Sequence, residues 1–276
     1  MKRLLLCTDL DRTLIPNGLQ PESSMARERF KLIAGRSEIK LAYVTGRHRA
    51  LIEQAIAEFD LPQPDFAIAD VGTTIYRVDS SGWHRLNEWD TKIAMDWLNL
   101  SRDELVRILS VFPAMQLQEK QKQALHKLSF YVSPETDGQV LLDELNVLLR
   151  QNGIKANLIW SVDEAANLGL LDVLPARANK LHAIEFLMQQ NGFRPENTMF
   201  AGDSGNDMDV LISSIPSVLV ANANAEVKRQ AANACKETLY IAKGDYLGMN
   251  GNYSAGIIEG AAHYWPEVEV WLDKIN

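Results

Sequence analysis

Short apolar runs alternate with longer amphipathic segments over most of the chain. The apolar runs are Arg3–Thr8, Ile39–Val44, Phe66–Ala69, Leu170–Leu174, Thr198–Ala201, Val218–Ala221 and Leu239–Ala242. Apolar residues spaced three and four apart predict helices at His48–Phe59, Lys180–Gln190 and Ala225–Ala234. Strands that alternate with helices in this way predict an α/β fold with a doubly wound, Rossmann-like parallel sheet as its core.

The stretch 82–167 differs from the rest, because it is richer in tryptophan and in polar residues. Its predicted elements are helices at Arg102–Leu109, after the candidate N-cap Ser101, and at Gly138–Gln151, and strands at Leu128–Val132 and Asn157–Ser161. We therefore expect an inserted α+β cap domain at 82–167, and a catalytic core formed by residues 1–81 and 168–276.

Charge and composition exclude several classes of protein. The 276 residues include 28 Lys and Arg against 36 Asp and Glu, without a long basic run, so nucleic acid is not an expected partner. No apolar stretch approaches the roughly 18 residues of a membrane helix. Asp9 and Asp11 also interrupt the apolar N-terminus too early for a secretory signal. Cys7 and Cys235 have no disulfide or zinc spacing, and we expect a cytoplasmic protein that does not bind membranes.

The segment Thr8-Asp9-Leu10-Asp11-Arg12-Thr13 carries two carboxylates where an apolar strand ends. Ligands of open α/β sheets bind at such carboxyl ends. Two carboxylates held about 4 Å apart repel each other by roughly 4 kcal/mol at an intermediate dielectric, so both stay ionised most easily beside a cation. Asp9 and Asp11 therefore predict a cation site.

A second acidic segment, Ala201-Gly202-Asp203-Ser204-Gly205-Asn206-Asp207, also follows an apolar run and precedes a helical pattern. Oxygen ligands without an accompanying His or Cys favour Mg²⁺ over zinc. Turn chemistry alone would also account for a loop rich in Gly, Asn and Asp. In the simplest interpretation, Asp203 supplies a direct metal ligand, and Asp207 contacts the metal through water or orients a ligand.

Two further segments are suited to binding a phosphoryl group. Val44-Thr45-Gly46-Arg47 ends a predicted strand with a hydroxyl, a glycine and a guanidinium, and Thr45 is a candidate donor to a phosphoryl oxygen. Asn179-Lys180 opens a predicted helix, where the backbone amides and the ammonium of Lys180 would together stabilise a phosphate.

These four segments together resemble the motifs of the haloacid dehalogenase superfamily of phosphotransferases. The Asp-x-Asp-x-Thr motif is matched from Asp9 to Thr13, Thr45 fits the second motif and Lys180 the third. Asp203 and Asp207 fit the acidic fourth motif, in the form Gly-Asp-x-x-Asn-Asp. The resemblance implies a Mg²⁺-dependent enzyme in which Asp9 is the nucleophile and Asp11 the acid and base. Its expected metal ligands are Asp9, Asp11, Asp203 and Asp207.

Within this superfamily, the insertion resembles the larger α+β cap of sugar phosphatases, a substrate-sealing lid. Some segments that are less specific than the catalytic motifs resemble the sucrose-phosphate phosphatase and mannosylfructose-phosphate phosphatase families, among them Leu41–Arg47, His126–Ser129 and Leu171–Pro175. The resemblance implies hydrolysis of a sugar phosphate, with a disaccharide phosphate such as sucrose 6-phosphate favoured. Arg47, Lys127 and Asn206 are candidate substrate contacts, and a sugar-phosphate synthase of the same pathway is a candidate partner.

Two other functions are compatible with the same motifs. A sugar phosphomutase or phosphotransferase would pass the phosphoryl group from Asp9 to a sugar hydroxyl instead of water. A non-catalytic module would bind a sugar phosphate without turnover, although acids at all matched positions argue against it. For Lys127, a solvated position on a strand is as good an interpretation as a sugar contact.

Overall fold

A computed structural model describes residues 3–163, 166–234 and 236–273. The strands are β1 (Leu4–Thr8), β2 (Ile39–Val44), β3 (Phe66–Ala69), β4 (Thr74–Asp79), β5 (Gly82–Arg85), β6 (Met115–Leu117), β7 (Leu128–Val132), β8 (Ala156–Asp163), β9 (Leu168–Pro175), β10 (Thr198–Gly202), β11 (Ser217–Leu219) and β12 (Leu239–Ile241). The helices are α1 (Ala26–Ala34), α2 (Arg49–Glu58), α3 (Asn87–Ala94), α4 (Arg102–Leu109), α5 (Gly138–Gln151), α6 (Lys180–Asn191), α7 (Met208–Leu211), α8 (Ala225–Ala234), α9 (Ser254–Tyr264) and α10 (Glu267–Asp273).

The contacts divide the chain into two units. The first unit runs up to Arg85 and resumes at Lys180, and the second is Leu86–Asn179. The sequence analysis placed the inserted domain at 82–167, so the structure moves both of its boundaries toward the C-terminus.

An eight-stranded sheet forms the centre of the first unit, in the order β12-β11-β10-β1-β2-β3-β4-β5. Strands β12 to β3 are parallel, and β4 and β5 extend the sheet as an antiparallel hairpin that the sequence analysis did not predict. All five residues of β1 are buried, which is typical of a central parallel strand covered on both faces. The predicted α/β fold class is confirmed.

A four-stranded antiparallel sheet, in the order β6-β7-β9-β8, belongs to the second unit together with helices α3 to α5. One core joins the sheet and the helices, with Trp97, Leu105, Leu128, Leu145 and Val173 among its buried residues. Ser101 caps α4 as predicted, because its hydroxyl and the Glu104 carboxylate form a reciprocal capping box.

One predicted core strand lies in the other unit. The run Leu170–Leu174 was predicted to join the parallel sheet, but the structure places it in β9, which pairs antiparallel with β7 and β8. Leu171 and Val173 are buried while Leu170 and Asp172 are partly exposed, so the strand alternates as a half-buried antiparallel strand does. Four leucines around Asp172 concealed this alternation in the sequence.

Two features bear on the predicted location. None of the described helices is both long and apolar enough to cross a membrane. Cys7 is buried in β1 with a free thiol, and Cys235 lies outside the described residues. The cytoplasmic location stays a prediction.

Candidate active site

Three neighbouring parallel strands deliver the candidate residues to one edge of the large sheet. β1 lies between β10 and β2, with Thr8 in register with Ala201 on one side and Tyr43 on the other. Asp9 follows β1, Asp203 follows β10 and Thr45 follows β2, each directly after the last strand residue. Because carboxyl ends of parallel strands share an edge, three segments distant in sequence meet here.

Asp9, Asp203 and Asp207 form a cluster of carboxylates that offer ligand oxygens within 4.8 Å of one another. All three are buried, with 5%, 4% and 0% of their surface exposed. Three buried carboxylates without an imidazole or thiolate are the donor set that a hard cation such as Mg²⁺ prefers. The residues present therefore fit a magnesium ion.

The Lys180 ammonium lies among these carboxylates. It donates to Oδ1 of Asp207 at 2.7 Å, to Oδ1 of Asp9 at 3.0 Å and to the Asn206 side-chain oxygen at 3.2 Å. Burial by itself would lower the pKa of Lys180, but the charges of Asp207 and Asp9 outweigh it and raise the pKa. Lys180 is therefore a permanent cation in this site.

Burial also raises the pKa values of two acids in the cluster. It raises the pKa of Asp9 to about 7, where Lys180 opposes the shift and Asp207 adds to it. Burial, with the charge of Asp207, raises the pKa of Asp203 to about 6. One lysine does not fully compensate three carboxylates, and a bound cation would favour their ionised forms.

The loop between Asp203 and Asp207 folds back on itself. Oδ2 of Asp207 accepts hydrogen bonds from the backbone amides of Asp203 and Ser204, both at 3.1 Å, and one from the Ser204 hydroxyl. A Cβ added at Gly202 would lie 2.6 Å from Cγ of Asp207. Glycine is thus required at the end of β10 for Asp207 to approach the backbone.

The Asp11 carboxylate lies outside the cluster and is held by Arg47 and Asn17. Arg47 donates to both carboxylate oxygens, from Nε at 2.8 Å and from Nη2 at 2.6 Å, and Asn17 donates to Oδ1 at 2.7 Å. Partial burial would raise the pKa of Asp11, but the hydrogen bonds from Arg47 and Asn17 lower it. The carboxylate of Asp11 is thus paired with Arg47, and its predicted role as a metal ligand stays a prediction.

A cavity of about 390 Å³ opens over these groups. It is lined by Asp9, Asp11, Arg12, Thr45, Gly46, Arg47, Leu51, Asp203, Ser204, Asn206 and Asn224. Its lining contains both acidic side chains and two arginines, the charges needed to hold a cation together with an anion.

The structure thus brings together eight of the nine predicted site residues, all in the first unit. They are Asp9, Asp11, Thr45, Arg47, Lys180, Asp203, Asn206 and Asp207. The ninth, Lys127, belongs to the second unit, where its ammonium lies 3.3 Å from Oδ2 of Asp172. The catalytic and binding roles of all nine remain predictions.

Sequence reasoning missed three residues that organise this site. Asn17 and Asn222 bind the backbone of Arg12 from its two sides, and Arg12 lies beside Asp203. Arg12 was visible inside the first motif but was given no role. Asn222 carried only the signal of a polar residue after a strand, and Asn17 resembled an ordinary turn residue.

Comparison with known proteins identifies the family. The family model described as sucrose-6F-phosphate phosphohydrolase matches residues 2–265. The chain belongs to this family. Membership of the sucrose-6F-phosphate phosphohydrolase family confirms the resemblance found in the sequence, and the family is one of phosphoric monoester hydrolases.

Relatives with similar sequences agree with this assignment. A putative haloacid dehalogenase-like hydrolase from Nitrosococcus oceani is 49% identical over 99% of this chain and 74% of its own length. Sucrose-phosphatase 2 from Nicotiana tabacum is 30% identical over 95% of this chain. The chain spans only 59% of the tobacco protein.

Solved structures extend the likeness to the fold. Sucrose-phosphatase from Synechocystis, determined in complex with sucrose and phosphate, has a TM-score of 0.73 and 28% identity, covering 96% of this chain and 98% of that one. A haloacid dehalogenase-like hydrolase from Bacillus subtilis has a TM-score of 0.67 at 17% identity, covering 95% of this chain and 92% of that one. The second likeness concerns the fold alone.

Proposed function

We propose that this chain hydrolyses the phosphate monoester of a sugar in a Mg²⁺-dependent reaction, with a disaccharide phosphate such as sucrose 6-phosphate as the favoured substrate. The observation that carries the proposal is the convergence of Asp9, Asp203 and Asp207 within 4.8 Å, with the Lys180 ammonium 3.0 Å from Asp9. The substrate assignment is supported by the family and by the similar Synechocystis enzyme, which binds sucrose and phosphate.

In the first half of the reaction, an Asp9 carboxylate oxygen attacks phosphorus, and the bond from phosphorus to the sugar oxygen breaks. The departing oxygen takes its proton from Asp11. Burial of Asp9, 5% exposed, keeps bulk water away from the attacking oxygen, and Lys180 favours its ionised form. The product of this half is an aspartyl-phosphate and a free sugar.

In the second half, Asp11 removes a proton from water, and the oxygen of that water attacks the phosphorus of the aspartyl-phosphate. The bond to Asp9 breaks, inorganic phosphate leaves, and both carboxylates return to their starting state. One residue serves as acid and then as base because it gives up a proton in the first half and regains one in the second.

Lys180 and Thr45 stabilise the negative charge on the transferring phosphoryl group. Lys180 supplies a permanent positive charge, and Thr45, a residue 1% exposed at the end of β2, offers its hydroxyl as a hydrogen-bond donor. Asp9, Asp203 and Asp207 would hold Mg²⁺, which when bound neutralises negative charge on the phosphoryl oxygens.

Arg47 links Asp11 to the substrate. Its bidentate pair favours ionised Asp11, the form that the second half of the reaction requires. In the first half Asp11 must carry a proton, so substrate binding has to draw Arg47 away, and Arg47 then becomes a substrate contact. Asn206, which lines the cavity, and Lys127 in the second unit are the other proposed sugar contacts.

A panel of purified sugar phosphates tests the proposal. Sucrose 6-phosphate, mannosylfructose phosphate and trehalose 6-phosphate are compared by kcat/KM for release of inorganic phosphate, with Mg²⁺ and after chelation. We expect Mg²⁺-dependent release, highest with a disaccharide phosphate and lost in Asp9→Asn. Phosphate that appears on another sugar instead of in solution would identify a phosphotransferase, and absence of turnover on the whole panel would contradict the proposal.

A further inference from the structure

The backbone of Arg12 has a conformation that an arginine rarely adopts. Its φ is 59°, in the left-handed region where a Cβ is crowded and glycine is the least strained residue. Arg12 lies in the segment that joins Asp11 to Thr13, directly beside the proposed nucleophile and acid. A strained backbone at such a position calls for an interaction that requires the side chain.

Two asparagine side chains hold Arg12 in this conformation. The Arg12 amide donates to the side-chain oxygen of Asn17 at 2.8 Å, and the Arg12 carbonyl accepts from Nδ2 of Asn222 at 2.6 Å. Asn222 is 2% exposed, and its own oxygen accepts the backbone amide of Tyr253 at 2.8 Å. Both peptide groups of Arg12 are therefore fixed, and the fixed backbone sets where its side chain begins.

The Arg12 side chain lines the cavity beside Asp203. Its Nε lies 3.3 Å from Oδ2 of Asp203, and the side chain is 45% exposed. An ion pair this exposed is screened by solvent and adds little to folding stability. The pair with Asp203 therefore does not explain why an arginine occupies a position that suits glycine.

We propose that Arg12 is a substrate-binding residue whose guanidinium binds oxygens of the phosphoryl group, an inference that rests on the proposed function. Asp203 belongs to the same carboxylate cluster as Asp9, so Arg12 lies beside the group of carboxylates at which phosphorus must approach Asp9. A guanidinium presents a planar fork of N–H donors that matches two phosphate oxygens. Asn17 and Asn222 are the positioning residues that direct it.

Removing the Arg12 guanidinium should affect the affinity for phosphate and the affinity for Mg²⁺ differently. If Arg12 binds phosphate, its removal weakens phosphate binding. The same removal takes a positive charge away from Asp203, so the affinity of the carboxylates for Mg²⁺ stays the same or increases. A purely structural role would instead weaken both affinities, since it would disturb the loop that carries Asp9.

Arg12→Gly separates these cases, because glycine relieves the left-handed backbone while removing the guanidinium. Titration calorimetry with inorganic phosphate at saturating Mg²⁺, and with Mg²⁺ alone, would compare wild type, Arg12→Gly and Arg12→Lys. Arg49→Ala is the matched control, because Arg49 is also 45% exposed and paired with a carboxylate, that of Glu53. Thermal unfolding is recorded for each variant.

We expect Arg12→Gly to raise the Kd for phosphate about tenfold, the size of one charge-assisted contact, with Arg12→Lys intermediate and Arg49→Ala unchanged. Its Mg²⁺ affinity and unfolding temperature should be no lower than in the wild type. Phosphate affinity within twofold of the wild type would overturn the inference. So would a parallel loss of phosphate affinity, Mg²⁺ affinity and thermal stability, or a wild-type protein that does not bind phosphate.

The assay for sugar phosphate hydrolysis is independent of this comparison. A wild-type protein that releases no phosphate from any sugar phosphate contradicts the proposed function, and the calorimetric comparison still decides whether Arg12 binds phosphate. If Arg12→Gly binds phosphate as the wild type does and the enzyme is active, only the proposed role of Arg12 is excluded, and the proposed function stands.

Discussion

The ammonium of Lys180 lies 3.0 Å from Oδ1 of Asp9, although 171 residues separate the two in sequence. Lys180 is the first residue of α6, and Asp9 follows the central strand β1. The same ammonium contacts Asp207 at 2.7 Å, so one buried cation joins the proposed nucleophile to the acidic loop after β10. The site depends on this contact for both its charge balance and its geometry.

Replacing Lys180 should destabilise the metal-free protein. Lys180→Met leaves three buried carboxylates without their cation, and we expect the free energy of unfolding to fall by about 3 kcal/mol in urea titrations with chelator. Mg²⁺ should stabilise the variant more than the wild type, because the unpaired carboxylates bind it more strongly.

Lys40→Met is the control for this change. Lys40 pairs with Asp65 at 2.6 Å, but both side chains are about one-third exposed, at 35% and 32%. We expect this control to lose less than about 1 kcal/mol. Equal losses in the two variants, or equal stabilisation by Mg²⁺, would show that Lys180 does not balance the cluster.

The pH dependence of stability should reveal the raised pKa values of Asp9 and Asp203. The pKa is about 7 for folded Asp9 and about 6 for folded Asp203, against 3.8 for an ordinary aspartate. A group whose pKa is higher in the folded state stabilises the fold below its unfolded pKa and loses that contribution as pH rises through the folded pKa. Without metal, stability should therefore decrease from about pH 4 to pH 7.

Chemical denaturation at several pH values, in chelator and in Mg²⁺, measures this effect. Each unit of pKa shift corresponds to about 1.4 kcal/mol, so the decrease should be a few kcal/mol in chelator. It should be smaller in Mg²⁺, which favours the ionised carboxylates, and smaller in Asp9→Asn, which does not titrate. A profile that is the same in all three conditions would contradict the burial of these acids.

Asp11→Asn should separate the two halves of the proposed reaction. We expect kcat for a sugar phosphate to fall by about 10² to 10⁴, the usual contribution of a general acid or base. An aryl phosphate with a good leaving group does not need the acid, so the variant should form the aspartyl-phosphate and accumulate it. Rapid-quench measurement of bound phosphate detects this species.

Asp65→Asn is the matched control for this change, since Asp65 is an ion-paired aspartate in the same unit whose carboxylate accepts from Lys40. It should keep the turnover of the wild type. An Asp11→Asn variant that turns over sugar phosphates at the rate of this control would exclude the acid and base role.

Asn222 should affect both the rate and the affinity for phosphate, because it fixes the backbone of Arg12 in the loop that carries Asp9. Its carboxamide joins the Arg12 carbonyl to the Tyr253 amide, which requires one donor and one acceptor. Asn222→Leu keeps the size but neither hydrogen bond, and we expect kcat to fall by about tenfold or more as the loop carrying Asp9 shifts. Steady-state kinetics checks this, with Asn152→Ala, which loses an exposed hydrogen bond to Leu148, as control. An unchanged kcat would show that the loop keeps its position without Asn222.

The sequence predicted the site residues best where they occur in short motifs. Asp9, Lys180, Asp203 and Asp207 stood at predicted strand ends or helix starts, and the parallel sheet explains why they meet. The start of α6 at Lys180 and the limits of β2, β3 and β7 also matched the apolar pattern.

Other features depended on partners that no local pattern reveals. β9 was predicted in the wrong sheet, because the sequence of a strand does not specify which strands it pairs with. In addition, only Asp172 interrupts the apolar residues of β9. The sequence did not predict that the Asp11 carboxylate pairs with Arg47, which lies 36 residues away. Asn222 contacts Arg12 from 210 residues away, a relationship that appears only when the chain is folded.

The most direct test of the central claim is to trap the phosphorylated enzyme and locate the modified residue. Rapid quenching during turnover of a sugar phosphate with Mg²⁺, followed by borohydride reduction, converts an aspartyl-phosphate to homoserine, which peptide mass spectrometry locates. If Asp9 is the nucleophile, homoserine should appear at position 9, and none should appear in Asp9→Asn or without substrate. Turnover without any modification at Asp9, or modification at another carboxylate, would contradict this role of Asp9.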